Sequence, residues 1–562
     1  MRLIKTSTLS LERFYGDEIP AYVILSHTWG DDEVSLQEFT KSSETKNDRI
    51  ANKAGYRKIA ETCDQALEDG YHYAWVDACC IDNTSSSELT ESINSMFGWY
   101  RELQVCYAYL SDFLLDMADV SSQQAQFDAN FRRCRWFTRG WCLQELLAPR
   151  HLRFFNHKWQ EIGTKSSLSR LISDITGIPE DVLTVPPKKG IRDFPVATRI
   201  SWIAKRQTTR IEDMSYSLLG ILDINMPMVY GEGNSAFLRL QEEIIRKYND
   251  LSIFAWTGAA TASGFMPMLA ANPSSFTINR TDYYGRNSTS QLGNRLGTQF
   301  SLTNQGIFFP SANLHYQTAV PGYRHQYLLF LDYRDPSFWG KGKQRYIILQ
   351  KIGAGLFVRL HDSLGRLKAF QKRLCTSPFS EPACILNRFS EQMTRQLALW
   401  ERYCVRLRWK PWEKLGQRYW HIRTVQPRAS WDCAANQFLL EMAHERHMHV
   451  EFVPGNYESN PSSKFFVLAI EIGVNKKQKR NPSVVSARII SADIWQGLNV
   501  TMLGFRGREA LALDALPPPK ATGDSDYISL AGYDISVSVR LVTEPNEQAY
   551  HLVYIDWEVA TP

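Results

Sequence analysis

At 562 residues the chain is too long for one core and predicts about two to four domains, and 44% hydrophobic with 22% charged residues excludes a disordered chain in favour of globular ones. A net charge of +5 is small for this length, and the one dense basic run, KKQKR at 476–480, precedes Pro482 in a polar stretch and reads as a solvated loop, so no nucleic-acid partner is expected. The ten cysteines lie mostly singly apart from Cys79 and Cys80, with no C-x-x-C pair, so neither a zinc site nor a disulfide framework is expected and a reducing, cytoplasmic setting follows; MRLIKTSTLSLERF lacks a secretory apolar core, and no run is apolar enough to predict a membrane span.

Along the chain, short apolar runs alternate with helical patterns. AYVILSH (21–27) reads as a buried strand, KAGYRKIAETCDQALEDG (53–70) as an amphipathic helix stopped by Gly70, and YAWVDACC (73–80) as a second strand. SSSELTESINSMFGWYREL (85–103) follows as a helix with a serine N-cap, then VCYAYLSD (105–112) as a third strand, RGWCLQELLAP (139–149) as a short helix and HLRFFN (151–156) as a fourth strand. Such alternation predicts a doubly wound α/β domain, a parallel sheet covered on both faces, over residues 1–160. Apolar spacing in SLSRLISDITGI, ISWIAKRQTTRIEDMSYSLLGIL and AFLRLQEEIIRKY predicts a helical extension over 161–258. From there to 562, QYLLFLDY (326–333), RYIILQKI (345–352), FFVLAIEI (465–472) and AYHLVYIDWEV (549–559) predict a β-rich domain.

Open parallel sheets bind ligands beyond the carboxyl ends of their strands. There SHTWG places Ser26, His27 and Trp29, DACCID places Asp77, Cys79 and Asp82, and Tyr109 closes the third strand. In RGWCLQELLAP, Arg139 stands at the front of the predicted helix and Glu145 in its last turn, so both charges oppose the helix dipole at about 0.3–1 kcal/mol each. A surface glutamate paired to Arg139 or Arg150 is the plain explanation, and a functional carboxylate the other. Cys79 or Cys80 with His27 and Asp77 offers the residue types of a thiol nucleophile, base and orienter, although doubled cysteines after an apolar strand are usually core. GEGNSAF (231–237) follows no strand and lacks the lysine of a phosphate loop, so it reads as a cap for a helix starting near Ser235.

The blocks YVILSHTWGDDEVSLQEF, GYRKIAETCDQA, YAWVDACCIDNTSSSELTESINSMFGWYRE, RGWCLQELLAPRHLRFFN, TRIEDMSYSLLGIL and YGEGNSAFLRLQEEI, over roughly residues 20–245, closely resemble the fungal heterokaryon incompatibility (HET) domain. That resemblance implies a role in allorecognition or defence ending in cell death. HET domains are in turn similar to Toll/interleukin receptor (TIR) domains, which implies a TIR-like, flavodoxin-like sheet. In TIR enzymes a W-C-x-x-E-L helix follows the third strand, and its glutamate is catalytic in NAD glycohydrolysis; this position maps to Glu145. The resemblance thus implies NAD as substrate, with no cofactor or metal. Ser26 and His27 would meet phosphate or ribose, Trp29 or Tyr109 would form an aromatic wall, Asp77 would orient a ribose hydroxyl or His27, and Arg139 would tether the helix start or bind phosphate. It also implies a homo-oligomer or an activating protein partner, and leaves open a scaffold that signals by self-assembly alone.

Overall fold

The structure, a computed structural model, describes residues 1–45, 48–116, 124–258, 264–276, 299–316, 326–335, 343–353, 355–361, 379–387, 404–409, 420–426, 431–432, 437–439, 447–454, 466–474, 482–491, 525–530, 533–542 and 550–559. The KKQKR run lies outside them. Two compact units divide the chain, one built on Met1–Gly258 and the other taking in Tyr346–Pro562.

In chain order the first unit runs β1 (Arg2–Lys5), β2 (Ser10–Arg13), β3 (Val23–His27), α1 (Leu36–Thr45), α2 (Asp48–Ala51), α3 (Ala54–Glu68), β4 (Tyr73–Trp75) and α4 (Asp77–Cys80). It continues with α5 (Ser86–Glu102), β5 (Val105–Tyr109), α6 (Gln124–Arg133), α7 (Cys142–Leu147), β6 (Leu152–Phe155) and β7 (Glu161–Thr164). The sheet order is β2-β1-β4-β3-β5-β6-β7. Its middle four strands are parallel, in the order second, first, third, fourth along the chain. β3 sits between β4 and β5 and is buried at every position, which is why VILSH reads as an almost continuous apolar run rather than an alternation.

Three features depart from the expected all-parallel sheet. MRLIKTSTLSLERF folds as the antiparallel hairpin β1–β2, and β1 joins the edge strand β4 antiparallel. At the other edge β7, inside the stretch expected to be helical, pairs antiparallel with β6. The second strand also stops at Trp75: Val76 is extended, then the Asp77 carboxylate accepts its neighbour's amide from Ala78 at 2.8 Å, and the amides of Cys79 and Cys80 turn back to the Val76 carbonyl. DACC is therefore a helical turn, with the local side-chain bond that draws aspartate to helix starts.

Helices cover both sheet faces. α3 buries Ile59, Thr62, Cys63 and Ala66, the i, i+3, i+4, i+7 set of one helical stripe, and ends as Gly70 takes φ +83°. α5 starts on Ser85, whose hydroxyl accepts the Glu88 amide, and packs Tyr100 and Trp99 against Trp75 of β4. The remaining helices, α8 (Ser169–Thr176), α9 (Glu180–Leu183), α10 (Val196–Ser201), α11 (Asp213–Tyr216), α12 (Leu219–Leu222) and α13 (Ser235–Lys247), follow the predicted apolar spacing in shorter pieces. α12 packs on α5 so closely that a Cβ on Gly220 would fall 2.1 Å from Phe97 Cβ. Asn94 of α5 exchanges hydrogen bonds with the Met226 backbone at 3.3 Å each way.

From Phe265 onward the described residues are β-rich, as the alternating aromatic and β-branched runs predict. Gln326–Asp335, Lys343–Gly353, Leu356–Leu360, Phe379–Leu386, Gly306–Tyr316 and Ser301–Leu302 follow one another in one sheet, with Phe265–Met266 on Leu356–Leu360. Trp431–Asp432, Gln437–Leu439, Cys404–Trp409, Tyr550–Val559, Tyr533–Val542 and Ser525–Leu530 form a second. Trp420–Gln426, His447–Pro454, Phe466–Val474 and Pro482–Ser491 form a third. Most pairs are antiparallel. Among the described residues no helix is long and apolar enough to cross a membrane, and no cluster of His, Cys, Asp and Glu is arranged to hold a metal.

Candidate active site

Adjacent residues of a strand face opposite sides of its sheet, so Ser26 and His27 at the end of β3 serve two different clusters. On the α7 side, the Ser26 hydroxyl donates to Glu145 Oε2 at 2.5 Å and accepts the Trp136 indole N–H at 2.7 Å. Ser26 and Trp136 are fully buried and Glu145 is 6% exposed. Burial drives the Glu145 carboxyl up from 4.5 to about 7, helped by the nearby Asp77 charge and opposed by the Ser26 donor, the Arg139 charge and the Cys142 thiol. Burial first, and then the Glu145 charge, also push the Tyr100 phenol and the Cys142 thiol upward.

The helix carrying Glu145 is shorter than the sequence predicts. It begins at Cys142 after Trp141, and Arg139 lies before it in extended backbone. Glu145 is thus in the first turn, where the positive end of the dipole favours a carboxylate, and the expected reversal of charges is overturned. The last turn has its own cation from elsewhere in the chain. Lys165, 4% exposed, donates its Nζ to the carbonyls of Leu146, at 3.3 Å, and Pro149, and burial pulls its ammonium down to about 8. Among the described residues the Arg139 guanidinium makes no hydrogen bond or ion pair; its carbonyl accepts the buried Arg206 at 2.9 Å. Burial lowers the Arg206 guanidinium to about 10, so it stays charged at neutral pH.

On the other face, His27 lies between two carboxylates. Its Nε2 is 3.5 Å from Glu33 Oε2, without hydrogen-bond alignment, and its Nδ1 is 3.9 Å from Asp77 Oδ1. Burial works to raise the Glu33 carboxyl, but His27, Lys58 of α3 and the Gly30 amide outweigh it and bring it to about 2. Asp77 Oδ2 accepts the Trp29 indole at 2.9 Å, and Trp29 is 41% exposed. Asp77 links the clusters, since it stands beside His27 and its charge reaches Glu145.

Tyr109 does not join this wall. It pairs in register with His27, its hydroxyl donates to the His157 carbonyl at 3.2 Å, and its ring stacks on Trp159 at 5.1 Å. Trp141 lies beside Asp213, whose carboxyl is raised by burial and lowered by Tyr230 and Trp141. The thiols of Cys79 and Cys80 are spent on their own turn, each contacting the Val76 backbone, and neither bonds His27 among the described residues. Burial raises the Cys79 thiol well above its usual value, the opposite of what a nucleophilic thiolate needs. Asp82 accepts Thr84 and Gln37. In GEGNSAF the amides of Gly231 and Gly233, both at positive φ, are taken by Glu212 Oε1 at 2.8 and 3.0 Å, so they cradle a carboxylate of the chain itself. Trp136, Glu33, Lys58 and Arg206 escaped the sequence reading; DDE directly after SHTWG was the available signal for Glu33, and the tryptophan just ahead of RGWCLQE for Trp136.

These elements define an α/β protein with a buried carboxylate at the carboxyl edge of a parallel sheet. Residues 22–118 match the family model of the heterokaryon incompatibility protein (HET), and residues 235–306 match a domain of unknown function (DUF8212). The chain is 48% identical over 228 residues to the vegetative incompatibility protein HET-E-1 of Podospora anserina, an alignment that covers 40% of this chain and 16% of that protein. No solved structure matches.

Proposed function

We propose that this chain is a cytoplasmic NAD glycohydrolase acting in incompatibility or defence signalling that ends in cell death, with a TIR-like fold around Glu145. The Ser26–Glu145 pair carries the reading: a buried carboxylate held at the end of the first parallel strand, with its ionisation moved to about 7. Perturbed carboxyls of this kind concentrate at functional sites. The strand order second, first, third, fourth supports the flavodoxin-like topology, in which ligands bind at the carboxyl edge. The similarity to a vegetative incompatibility protein supports the biological role.

The chemistry asks little of acids and bases. The C1–N bond of the nicotinamide ribose breaks with its electron pair going to the cationic ring, so nicotinamide leaves neutral and needs no proton. Water then bonds to C1 and releases a proton to solvent. Ionised Glu145 holds the ribose hydroxyls and stabilises the oxocarbenium charge, an interaction strongest where water is excluded. The Arg139 guanidinium, which has no hydrogen bond or ion pair among the described residues, suits a phosphate, and half-exposed Trp29, held by Asp77, forms the aromatic wall. Ser26, fully buried, acts on Glu145 rather than on the ligand. Nicotinamide release measured with wild type and Glu145→Ala tests the reading: activity that survives the substitution removes Glu145 from the mechanism. A chain that consumes no NAD, alone, assembled or with an activating partner, supports the self-assembling scaffold instead.

A further inference from the structure

The hydrogen bonds at Ser26 have a direction that the chemistry of their donors dictates. An indole N–H can only donate, so the 2.7 Å contact from Trp136 makes the Ser26 oxygen an acceptor and leaves the Ser26 hydrogen for Glu145 Oε2 at 2.5 Å. The ring cannot turn away. Phe137 and Phe154 meet it edge-on at 5.1 and 5.6 Å, and the turn that carries it, Arg135–Thr138, is tied to the loop after β5 by the Arg135 amide donating to Asp112 Oδ2 at 2.8 Å.

We infer that Trp136 is a positioning residue of the Glu145 site: its indole N–H polarises the Ser26 hydroxyl into a donor, which fixes the Glu145 side chain and favours the carboxylate form. The inference rests on Glu145 as the working carboxylate. A protonated Glu145 still accepts from Ser26 through its carbonyl oxygen, but more weakly than the carboxylate does, so a Ser26 donor polarised by the Trp136 N–H favours the ionised form. The other groups that bear on this carboxyl are Asp77 of α4, Arg139, Arg206, Cys142 of α7, Tyr100 of α5 and Cys106 of β5. None of them can orient Ser26 in place of the indole, because none hydrogen-bonds it among the described residues.

The test compares Trp136→Phe, Ser26→Ala and the double variant, in the full chain. Isotope-edited infrared spectra of glutamate-labelled protein, with Glu145→Gln subtracted, follow the ionisation of Glu145 without any need for turnover. Trp136→Phe removes the N–H and keeps most of the ring packing, and the Glu145 midpoint should rise by about half to one pH unit; Ser26→Ala should raise it by about one to two. The double variant should match Ser26→Ala alone, because Trp136 acts only through Ser26. A midpoint unmoved by Trp136→Phe, or a shift that adds to that of Ser26→Ala, assigns Trp136 to packing and overturns the inference. Should Trp136→Phe fail to fold, indole NMR of the wild type decides: one N–H resonance must titrate with Glu145 and stop doing so in Ser26→Ala, and its absence overturns the inference. In nicotinamide release, the acid limb should move up with the infrared midpoint while KM changes little. A wild type that releases no nicotinamide overturns the hydrolase reading and leaves the relay to the infrared result.

Discussion

Replacing Glu145 by glutamine should change how stability depends on pH, by an amount the site itself gives. A rise of the carboxyl from 4.5 to about 7 on folding, at about 1.4 kcal/mol per pH unit, comes to about 3 kcal/mol. Below pH 4.5 folded and unfolded chains both keep the proton, and the residue costs nothing through ionisation. Between 4.5 and 7 the unfolded chain gives up its proton first, so the folded state loses ground as pH rises, and above 7 the full cost stands. Glutamine never ionises. Its oxygen can still accept Ser26, and whatever its amide group costs is the same at every pH. Urea unfolding followed by tryptophan fluorescence, at intervals from pH 4 to 8, should therefore show the variant gaining about 3 kcal/mol on the wild type across that range. Other titrating groups cancel in the difference. A gap that does not change with pH would refute the argument that burial, and not a surface ion pair, governs this carboxyl.

Asp77→Asn removes a charge that raises the Glu145 carboxyl, so the acid limb of nicotinamide release should move to lower pH, as a pH–rate profile would show. Tyr109→Phe loses only its bond to the His157 carbonyl; kcat and KM should stay within about twofold, since a lost neutral hydrogen bond outside the site costs about 1 kcal/mol of stability rather than turnover. Gly220→Ala places a methyl against Phe97 of α5 and should cost about 1–3 kcal/mol, seen as a lower unfolding temperature; an unchanged temperature means that α12 can back away from α5.

The sequence reveals the central parallel strands because each is a buried apolar run, and it reveals α3 and α5 through their stripes and stops. The edges were not legible. β1, β2 and β7 are four residues each, half buried and mixed in composition, too short to establish a period. DACC looks like strand because its residues are apolar and buried, yet the carboxylate of Asp77 sets it as helix. At the site, Glu145 is conspicuous in RGWCLQELLAP, but the reversed charges that the stretch suggests do not form: the helix starts later, at Cys142, and Lys165, packed against its end, supplies the closing cation. Tyr109 was drawn to the site by its place at a strand end. It shares the His27 face, but its hydroxyl is spent on the His157 carbonyl and its ring stacks on Trp159. Trp136 could not be read from spacing alone, because its partner lies 110 residues away.

The central claim is that Glu145 performs chemistry on NAD. Nicotinamide release from NAD by the purified chain, followed at pH 8 where Glu145 is mostly ionised, tests it most directly against Glu145→Gln, which keeps the shape and the Ser26 contact and loses the charge. The account predicts release by the wild type and a loss of at least about a hundredfold in the variant, the scale of removing a main electrostatic stabiliser. Equal release by both proteins would contradict it.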